Sequence, residues 1–391
     1  MDRKRIVVMG FMGGCPIAGV IWQHIHYIVG LQRLGHEVYY VEDSARYVYN
    51  PVTYAEDTDY AYAAQTLDRL ARQFGFEGRW SFCARFFPDE NPTAGMSLGK
   101  IRELYRTADA VIAVCGTQEF NEDLLVSQNL IYVESDPGVE QIRVDKGDEK
   151  ERAYLDRHRA RFTFGENVGT PHFPVPLHGI RWLPTRQPVV TDFWKTDAPP
   201  PDGAVFTTVA NWNTSDRKDI EWRGEKYLWS KSLEFLKFIE APARSGEDFE
   251  MATTIRDTAT VNLFHTNRWK LIPPDRLSIE WDEYRKYLQG SKGEFTVAKD
   301  QYVRLRSGWF SDRTACYLAA GRPAITQETG FTRLFGGKMG LLSFTTLDEI
   351  VGHVRAINAD YAAHSRAAFE VAAEHFEATK VLASLLDRAG I

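Results

Sequence analysis

The sequence predicts an α/β protein made of two Rossmann-like domains, each built around a parallel sheet. Its 391 residues exceed the roughly 250 to 300 residues at which a single hydrophobic core usually stops growing. A strand, loop, helix and strand pattern opens the chain, and a similar pattern starts again near residue 204. Between the two, from residue 171 to 201, prolines are too frequent for a regular helix. Together these observations favour two α/β units joined by an extended segment.

The first unit is predicted over residues 1–180. An apolar strand at 6–9 leads into a glycine turn at 10–14, and apolar residues at helical spacing then run from about 17 to 34. The next strand, at 37–42, ends on the carboxylate of Glu42, which completes one strand–helix–strand unit. The other elements predicted here are a helix at 97–107 and strands at 110–114, 130–133 and 161–164.

The second unit is predicted over residues 204–358, after a proline-rich segment at 181–203. A long stretch of alanines and charged residues predicts one closing helix from about 359 to 388, within a last segment of 359–391. The elements predicted in the second unit are a strand at 204–209, a helix at about 226–239, a strand at 295–298, a helix at 312–320 and a strand at 324–326.

Composition excludes several classes of protein. Hydrophobic residues make up 44% and charged residues 26%, as in an ordinary globular protein, and the net charge of −6 disfavours a nucleic-acid partner. No stretch approaches the ~18 apolar residues of a membrane span, so we expect a cytoplasmic protein without an integral membrane segment. The four cysteines form no paired motif, and no metal-binding histidine pair appears on a predicted helix, so neither a metal nor a cofactor is expected. The oligomeric state is left open.

The start of the helix predicted at 312–320 suits an anion. Ser311 and Asp312 are typical helix-capping residues, and Gly308 just before them lets the backbone approach a ligand closely. The free N–H groups and partial positive charge of a helix N-terminus favour a phosphate or diphosphate there. The alternative is an ordinary helix cap. Trp309 and Phe310 offer flat faces on which a base or a sugar could stack, or else they belong to the core.

The residues at the end of this helix and after it resemble those of a known family. Residues 319–325, Ala-Ala-Gly-Arg-Pro-Ala-Ile, followed by Thr-Gly-Phe at 329–331, resemble the donor-site signature of GT-B glycosyltransferases. The resemblance implies two Rossmann-like domains facing across a cleft, with the acceptor on the first domain and a nucleotide-sugar donor, such as a UDP- or TDP-sugar, on the second. It also implies transfer without a metal ion, and a C-terminal helix that crosses back onto the first domain.

The same resemblance assigns roles to residues. For the donor diphosphate and nucleotide it implies Asn211, Asn213, Arg217, Gly308, Trp309, Phe310, Ser311, Asp312 and Arg313, and for the donor sugar Gln327, Glu328 and Thr329. Lys231 and Arg306 are further phosphate candidates. Gly308 and Cys316 stand where many retaining members carry two glutamates, so the stereochemistry is left open.

In the first unit, Gly13 and Gly14 resemble the acceptor loop of the same family, with Cys15 where some members carry a catalytic histidine. The candidates for the catalytic base are His24, whose alternative is a core histidine on an apolar helix stripe, and Asp136. Asp136 follows a strand and precedes Pro137, so its alternative is a turn-forming aspartate.

These observations predict a glycosyltransferase that moves a sugar from a nucleoside-diphosphate donor to a hydroxyl of a small-molecule or glycan acceptor. One alternative is a sugar-nucleotide 2-epimerase on the same fold, for which Glu328 would supply a carboxylate near the sugar. Another is a sugar-nucleotide binding protein without catalysis, which the cysteine at position 15 keeps open. A classical dinucleotide enzyme is disfavoured because residues 10–14 do not form GxGxxG.

Overall fold

The computed structural model describes residues 2–87, 90–213, 219–335, 337 and 339–391. Its larger sheet has eight strands, in the order β10-β9-β8-β7-β1-β2-β5-β6, and neighbours run parallel except β5 and β6. The strands of this sheet are β1 (Arg5–Met9), β2 (Glu37–Ser44), β5 (Trp80–Ala84), β6 (Thr93–Gly95), β7 (Ala110–Val114), β8 (Leu130–Glu134), β9 (Ala160–Thr163) and β10 (Leu183–Pro184).

The second sheet has six strands, all parallel, in the order β15-β14-β11-β16-β17-β18. Its strands are β11 (Phe206–Val209), β14 (Phe249–Ala252), β15 (Trp269–Ile272), β16 (Gly293–Thr296), β17 (Ala324–Gln327) and β18 (Leu341–Phe344). Two antiparallel hairpins complete the strands described, β3 (Val48–Asn50) with β4 (Ala55–Asp57) and β12 (Ile220–Trp222) with β13 (Glu225–Tyr227).

Helices connect and cover both sheets. Those of the first half are α1 (Ala18–Arg33), α2 (Ala61–Phe74), α3 (Leu98–Thr107), α4 (Val139–Asp145), α5 (Glu149–Asp156) and α6 (Thr191–Trp194). Those of the second half are α7 (Ser232–Lys237), α8 (Ala241–Ser245), α9 (Thr258–Thr266), α10 (Asp275–Ile279), α11 (Trp281–Gly290), α12 (Asp300–Arg304), α13 (Asp312–Ala319), α14 (Leu347–Ala359), α15 (Tyr361–His375) and α16 (Ala378–Ala389).

The central strand β1 shows why this sequence forms a covered parallel sheet. Ile6 and Val8 pack into the core on one face of the sheet, whereas Val7 and Met9 pack into a separate cluster on the other face. All four side chains are fully buried. A strand covered on both faces must be apolar at every position, which is why an unbroken apolar run rather than an alternating pattern marks it in the sequence.

The predicted helix at 226–239 is wrong. Residues 220–227 form the β12–β13 hairpin instead, and only Ser232–Lys237 is helical. Arg223 and Gly224 both have positive φ, 51° and 78°, as the two central residues of a tight hairpin turn require. The hairpin is supported by the ring contact of Trp222 with Tyr227, whose centroids lie 6.2 Å apart.

The closing helix is two helices, not one. Between α15 and α16 the backbone of Val189, from the connecting segment, accepts a hydrogen bond from Ala378 N and donates one to Phe376 O. These bonds take backbone groups that a continuous helix would use internally. The last helix, α16, packs on α1, and it comes so close that a Cβ at Gly30 would lie 2.6 Å from Leu382 Cδ1.

Aromatic side chains join the two halves of the chain. The ring of Trp22 on α1 lies 5.0 Å from that of Trp194, and its indole N–H donates to the backbone oxygen of Trp281 at 2.8 Å. Elsewhere Asn167 donates its amide to the backbone oxygen of Arg306 at 2.9 Å. None of the helices in the described residues is both long and apolar enough to cross a membrane.

Candidate functional site

The carboxyl ends of the two parallel sheets open onto one shared cavity of about 2140 Å³. Open parallel sheets characteristically bind ligands at this edge, because loops and helix N-termini converge there. Nine of the residues predicted for the site line the cavity: Gly14, Asp136, Asn211, Asn213, Lys231, Trp309, Ser311, Asp312 and Arg313. The predicted Arg217 lies outside the described residues.

The N-terminus of α13 faces the cavity. Ser311 and Asp312 both line it, and Ser311 takes the extended backbone conformation of an N-cap residue. Within the ranges described, the Ser311 side chain makes no capping hydrogen bond. The first turn therefore presents N–H groups and a partial positive charge to the cavity without a side-chain cap.

Lys231 stands beside this helix end and is the most unusual cation of the cavity. Its Nζ lies 5.7 Å from the centroid of the Trp309 ring. Burial lowers the pKa of Lys231 well below its usual value, and the charges of Arg313 and Lys299 lower it further. Among the described residues its ammonium group has no hydrogen-bond or ion-pair partner. The charges of Glu294 and Asp136 raise its pKa in part, but neither carboxylate forms a salt bridge with it in the described residues. A diphosphate would supply that direct partner.

Lys231 and Arg306 were both predicted as phosphate candidates, but the structure places them in different environments. Lys231 lines the cavity, whereas Arg306 is absent from the described lining. Lys231 is distinguished from Arg306 by its neighbours Trp309, Arg313 and Lys299, which lie far from it in the sequence. Only the tertiary structure brings these residues together.

Trp309 and Phe310, predicted together as a stacking face, have opposite environments. Trp309 lines the cavity, is held by a hydrogen bond from its Nε1 to Ser135 O at 2.8 Å, and stacks near Tyr302 with 4.4 Å between ring centroids. Phe310 is 3% exposed and packs against Phe331, Phe335 and Phe376. Phe310 is therefore a core residue, and its predicted contact with the nucleotide is not what the structure shows.

We expect Phe310→Ala to lower the free energy of unfolding by about 3–5 kcal/mol, because it removes a buried ring from an aromatic cluster. Urea unfolding followed by circular dichroism measures this loss. Nucleotide affinity of the folded fraction should stay unchanged. Trp309→Ala is the matched neighbour, and it should weaken nucleotide binding by about 1 kcal/mol. A Phe310 variant of native stability with weakened nucleotide binding would contradict this assignment.

Arg313 is occupied by the protein itself, although it lines the cavity. Its guanidinium donates to Glu294 at 2.6 Å, to Thr296 at 2.7 Å and to the backbone oxygen of Val209. These bonds tie α13 to the carboxyl ends of β11 and β16. Arg313 thus holds the start of α13 against the second sheet, and a ligand would have to break these bonds to reach its guanidinium.

Gly308 also has a packing role rather than the predicted ligand contact. Its φ is +76°, and an added Cβ would lie 3.0 Å from the backbone nitrogen of Asn167. It is not part of the described cavity lining. Glycine is needed here for the close approach of the two domains.

The three residues predicted for the donor sugar do not line the described cavity. Gln327 is 5% exposed, accepts from Ala298 N at 3.0 Å and donates to Glu234 at 2.7 Å. Glu328 accepts a hydrogen bond from Gly330 N, and Thr329 donates its hydroxyl to Trp309 O. Their polar groups are used to hold the loop after β17.

Asp136 lines the cavity at the end of β8, as predicted for a site residue, but it is already paired. Its Oδ1 accepts from Lys299 Nζ at 2.7 Å and from the hydroxyl of Tyr302, and Ser135 donates to Oδ2 at 3.2 Å. Both oxygens of the Asp136 carboxylate therefore already accept hydrogen bonds from the protein. Lys299, which the sequence did not single out, also lies 3.1 Å from the centre of the Trp229 ring.

Asp312, at the start of α13, also lines the cavity, and its pKa is raised. Burial, followed by the nearby charge of Asp136, raises the pKa of Asp312 to about 7. Gln23, on α1 of the first domain, donates to its Oδ1 at 3.3 Å, so this carboxyl group points across the cleft. A carboxyl group that titrates near neutral pH and lines the cavity has the properties of a general base.

The Gly13–Gly14 loop is engaged by an internal carboxylate. Glu42, at the end of β2, accepts from Gly13 N at 2.5 Å, from Gly14 N at 2.7 Å and from Tyr40 OH at 2.6 Å. Burial raises the pKa of Glu42 to about 7. The amides predicted to receive the acceptor thus point at Glu42, and only Gly14 of the pair lines the described cavity.

His24 is a core residue. It is fully buried, its Nδ1 bonds the backbone oxygen of Val20 at 2.8 Å, and burial lowers its pKa to about 4. An added Cβ at Gly10 would lie 2.1 Å from its ring, so the packing around it is tight. His24 therefore lies in the core, as its position on the apolar stripe of the helix suggested, and it is not part of the described cavity lining.

Asn211 and Asn213 line the cavity in the loop after β11, where the sequence placed them. In the described part of the chain, no group of three or more histidine, cysteine, aspartate or glutamate residues is arranged to hold a metal ion.

Comparisons with known proteins place this geometry in a fold family. No protein-family model matches the chain, and no curated protein matches it in sequence. An alpha-glucosyltransferase in complex with UDP and a 13-mer DNA is similar over 100% of both chains, with a TM-score of 0.58 and 11% identity. Sucrose-phosphate synthase from Thermosynechococcus elongatus is similar over 99% of both chains, with a TM-score of 0.52 and 12% identity.

A glycosyltransferase involved in avilamycin A biosynthesis is similar over 99% of this chain and 97% of its own, with a TM-score of 0.53 and 9% identity. At these identities the similarity establishes the fold. The chain has the GT-B fold, with two Rossmann-like domains, as the resemblance at residues 319–331 implied.

Proposed function

We propose that this protein is a glycosyltransferase, which moves a sugar from a nucleoside-diphosphate donor to a hydroxyl of a small-molecule or glycan acceptor. The observation that carries the proposal is the pairing of Lys231 with the N-terminus of α13 on one wall of the cavity between the domains. Among the described residues Lys231 forms no salt bridge, and the first turn of α13 has no capping side chain; its acidic residue is Asp312, whose pKa is raised to about 7. A diphosphate supplies the missing negative charge.

The other parts of a donor site adjoin this wall. Trp309 offers a ring face to a base or a sugar, and Asn211 and Asn213 offer amide groups for hydroxyl and phosphate oxygens. These contacts suit a nucleoside diphosphate such as UDP, which the alpha-glucosyltransferase named above holds in its complex.

Asp312 is the base in this proposal, rather than Asp136 or His24. As the bond between the sugar and the diphosphate breaks, the negative charge that develops on the leaving phosphate is stabilised by Lys231 and the α13 N-terminus. The acceptor hydroxyl forms the new bond to the sugar and passes its proton to Asp312, whose pKa of about 7 suits this task.

The geometry favours transfer over the two alternatives. A 2-epimerase would need Glu328 beside the donor sugar, but its carboxylate instead accepts from Gly330 N and is not in the described lining. A binding protein without catalysis would not need a carboxyl group such as Asp312 poised near neutral pH.

A thermal-shift screen with UDP, TDP, GDP and ADP, and with NAD as a control, tests the donor assignment. A nucleotide at one hundred times its dissociation constant stabilises the native state by about 2.7 kcal/mol. We expect one nucleoside diphosphate to raise the melting temperature, and EDTA to leave that shift unchanged because Lys231 and α13 replace a metal ion. No shift with any diphosphate, or a shift with NAD alone, would exclude the proposed donor. A shift that EDTA abolishes would exclude metal independence.

A further inference from the structure

A second part of the cavity extends into the first domain, beside the ends of β7 and β8. We call it the aromatic recess, and its residues are Thr117, Gln118, Phe120, Tyr132, Glu140 and Tyr154. The ring of Tyr154 lies 5.0 Å from that of Phe120 and 5.9 Å from that of Tyr132. Its hydroxyl donates to the backbone oxygen of Gln118 at 3.4 Å. These contacts join the recess into one continuous wall.

Two residues of the recess carry buried hydrogen-bond acceptors that have no partner in the described residues. The Nε2 of Gln118 donates to the backbone oxygen of Gly10 at 3.1 Å, which leaves Oε1 as the remaining acceptor of the amide. Gln118 is 5% exposed, and within the described residues its Oε1 has no partner. The hydroxyl of Thr117, a residue 8% exposed, is also buried and unpartnered there. Buried polar atoms in proteins are nearly always satisfied, so a ligand or water is expected here.

The same wall carries a negative charge. The Oε2 of Glu140 is buried, and no hydrogen-bond partner for it exists in the part of the chain described. Burial, followed by the charge of Glu140, raises the pKa of the neighbouring Glu134 well above its usual value. The nearby Arg143 is engaged by Glu151 at 3.0 Å.

A carboxylate flanked by aromatic faces is an arrangement that recognises organic ammonium groups, because both attract a cation. Unused acceptors beside it suit the hydroxyls of a ring. Asp148 and Glu151 also line the cavity, as do Arg143 and Lys150, so the feature that distinguishes the recess is the Oε2 of Glu140, which is unpartnered among the described residues.

The recess adjoins the donor wall. Ser135, directly after β8, accepts the indole N–H of Trp309 at 2.8 Å, and Asp136 follows it. A molecule in the recess therefore lies next to the wall that carries Trp309.

We propose that the aromatic recess binds the acceptor, and that this acceptor is an amino sugar or aminocyclitol whose ammonium group pairs with Glu140. Its hydroxyls donate to Gln118 and Thr117. This inference rests on the proposed transfer function, since it names the acceptor class of that reaction.

The test uses D-glucosamine and D-glucose as probes, titrated into the full chain without any nucleotide and followed by ligand-observed NMR. We expect glucosamine to bind about tenfold more tightly than glucose near pH 7, from one added charged contact. Glu140→Gln should remove this preference. The matched control is Glu56→Gln, which changes an exposed carboxylate that lines the cavity at the β3–β4 hairpin, and it should keep the preference.

Gln118→Met is a second variant, expected to weaken both probes by loss of a common acceptor, and melting temperatures establish that each variant is folded. Equal binding of the two probes, no saturable binding, or a preference that survives in Glu140→Gln would overturn the inference. The UDP thermal shift should be unchanged in Glu140→Gln. A wild-type protein that shows the UDP shift but no preference for glucosamine therefore refutes only the recess, whereas absence of any diphosphate shift refutes the donor proposal.

Discussion

Asp312→Asn is expected to reduce the rate of sugar transfer by about 10²- to 10⁴-fold, the range that general-base groups contribute. Asparagine keeps the shape of the side chain and accepts no proton at neutral pH. Nucleotide binding should persist, because Asp312 reaches toward Gln23 rather than toward Lys231. The measurement is release of the nucleoside diphosphate from its sugar conjugate, with water as acceptor if no better acceptor is known.

The rate of sugar transfer should depend on pH in a definite direction. The wild-type rate should rise with pH through about 7, as Asp312 loses its proton and becomes competent as a base. The variant Asp136→Asn should keep the rise but move it to lower pH, since it removes the charge that helps to raise the pKa of Asp312. If instead Asp136→Asn removes the rise and Asp312→Asn keeps it, the sequence-based choice of Asp136 is restored.

Asp312→Asn should also stabilise the fold at alkaline pH. The pKa of Asp312 is about 7 in the folded chain and about 3.9 in an unfolded one, so between these values the folded state holds the extra proton. Stability from this group is therefore lost as pH rises from about 4 to 7, and it stays lost above 7. We expect Asp312→Asn to raise the free energy of unfolding by about 1–3 kcal/mol at pH 8, with little effect near pH 4.

Lys231→Met is expected to weaken UDP binding by about 10- to 100-fold, or about 1.4 to 2.8 kcal/mol. The methionine fills similar space but offers no charge to the diphosphate. Because burial and neighbouring cations lower the pKa of Lys231, the bound diphosphate should raise it again, and binding should take up a proton. In wild type the affinity should thus fall as pH increases.

Isothermal titration in buffers of different ionisation enthalpy measures both the affinity and the proton uptake. Lys286→Met is the control, since Lys286 is exposed on α11 and pairs with Glu283 at 3.0 Å. It should leave both quantities unchanged. Equal UDP affinity in wild type and Lys231→Met would remove the central support of the donor site.

Much of the local structure follows from the sequence. The strand predicted at 110–114 is observed at Ala110–Val114, and the helix predicted to begin at 312 begins at Asp312. These elements can be predicted because an unbroken apolar run, or an amphipathic stretch that follows a typical N-cap residue, is a local property. The predicted helix began at residue 226, inside the hairpin of residues 220–227, because the hairpin turn is made by Arg223 and Gly224, and this pair is not among the usual hairpin dipeptides.

The individual site residues were harder to predict. Phe310 and Trp309 are neighbours in sequence, yet one lies in the core and the other lines the cavity. Arg313 and Gln327 stand at positions that the family resemblance assigns to the donor, but their partners Val209 and Glu234 lie 104 and 93 residues away. A side chain engaged by such a distant group has no signature in its own neighbourhood.

By itself, the sequence determined the α/β class, the repeated strand–helix pattern and the GT-B resemblance, because periodicity and short motifs depend on neighbouring residues. The tertiary structure decided which polar groups remain available in the cleft. It used up Asp136, Arg313 and Gln327 in internal bonds, and it left Lys231 and Asp312 partly desolvated beside the cavity. Availability and pKa depend on burial and on charges brought together by folding, and these are properties of the assembled fold.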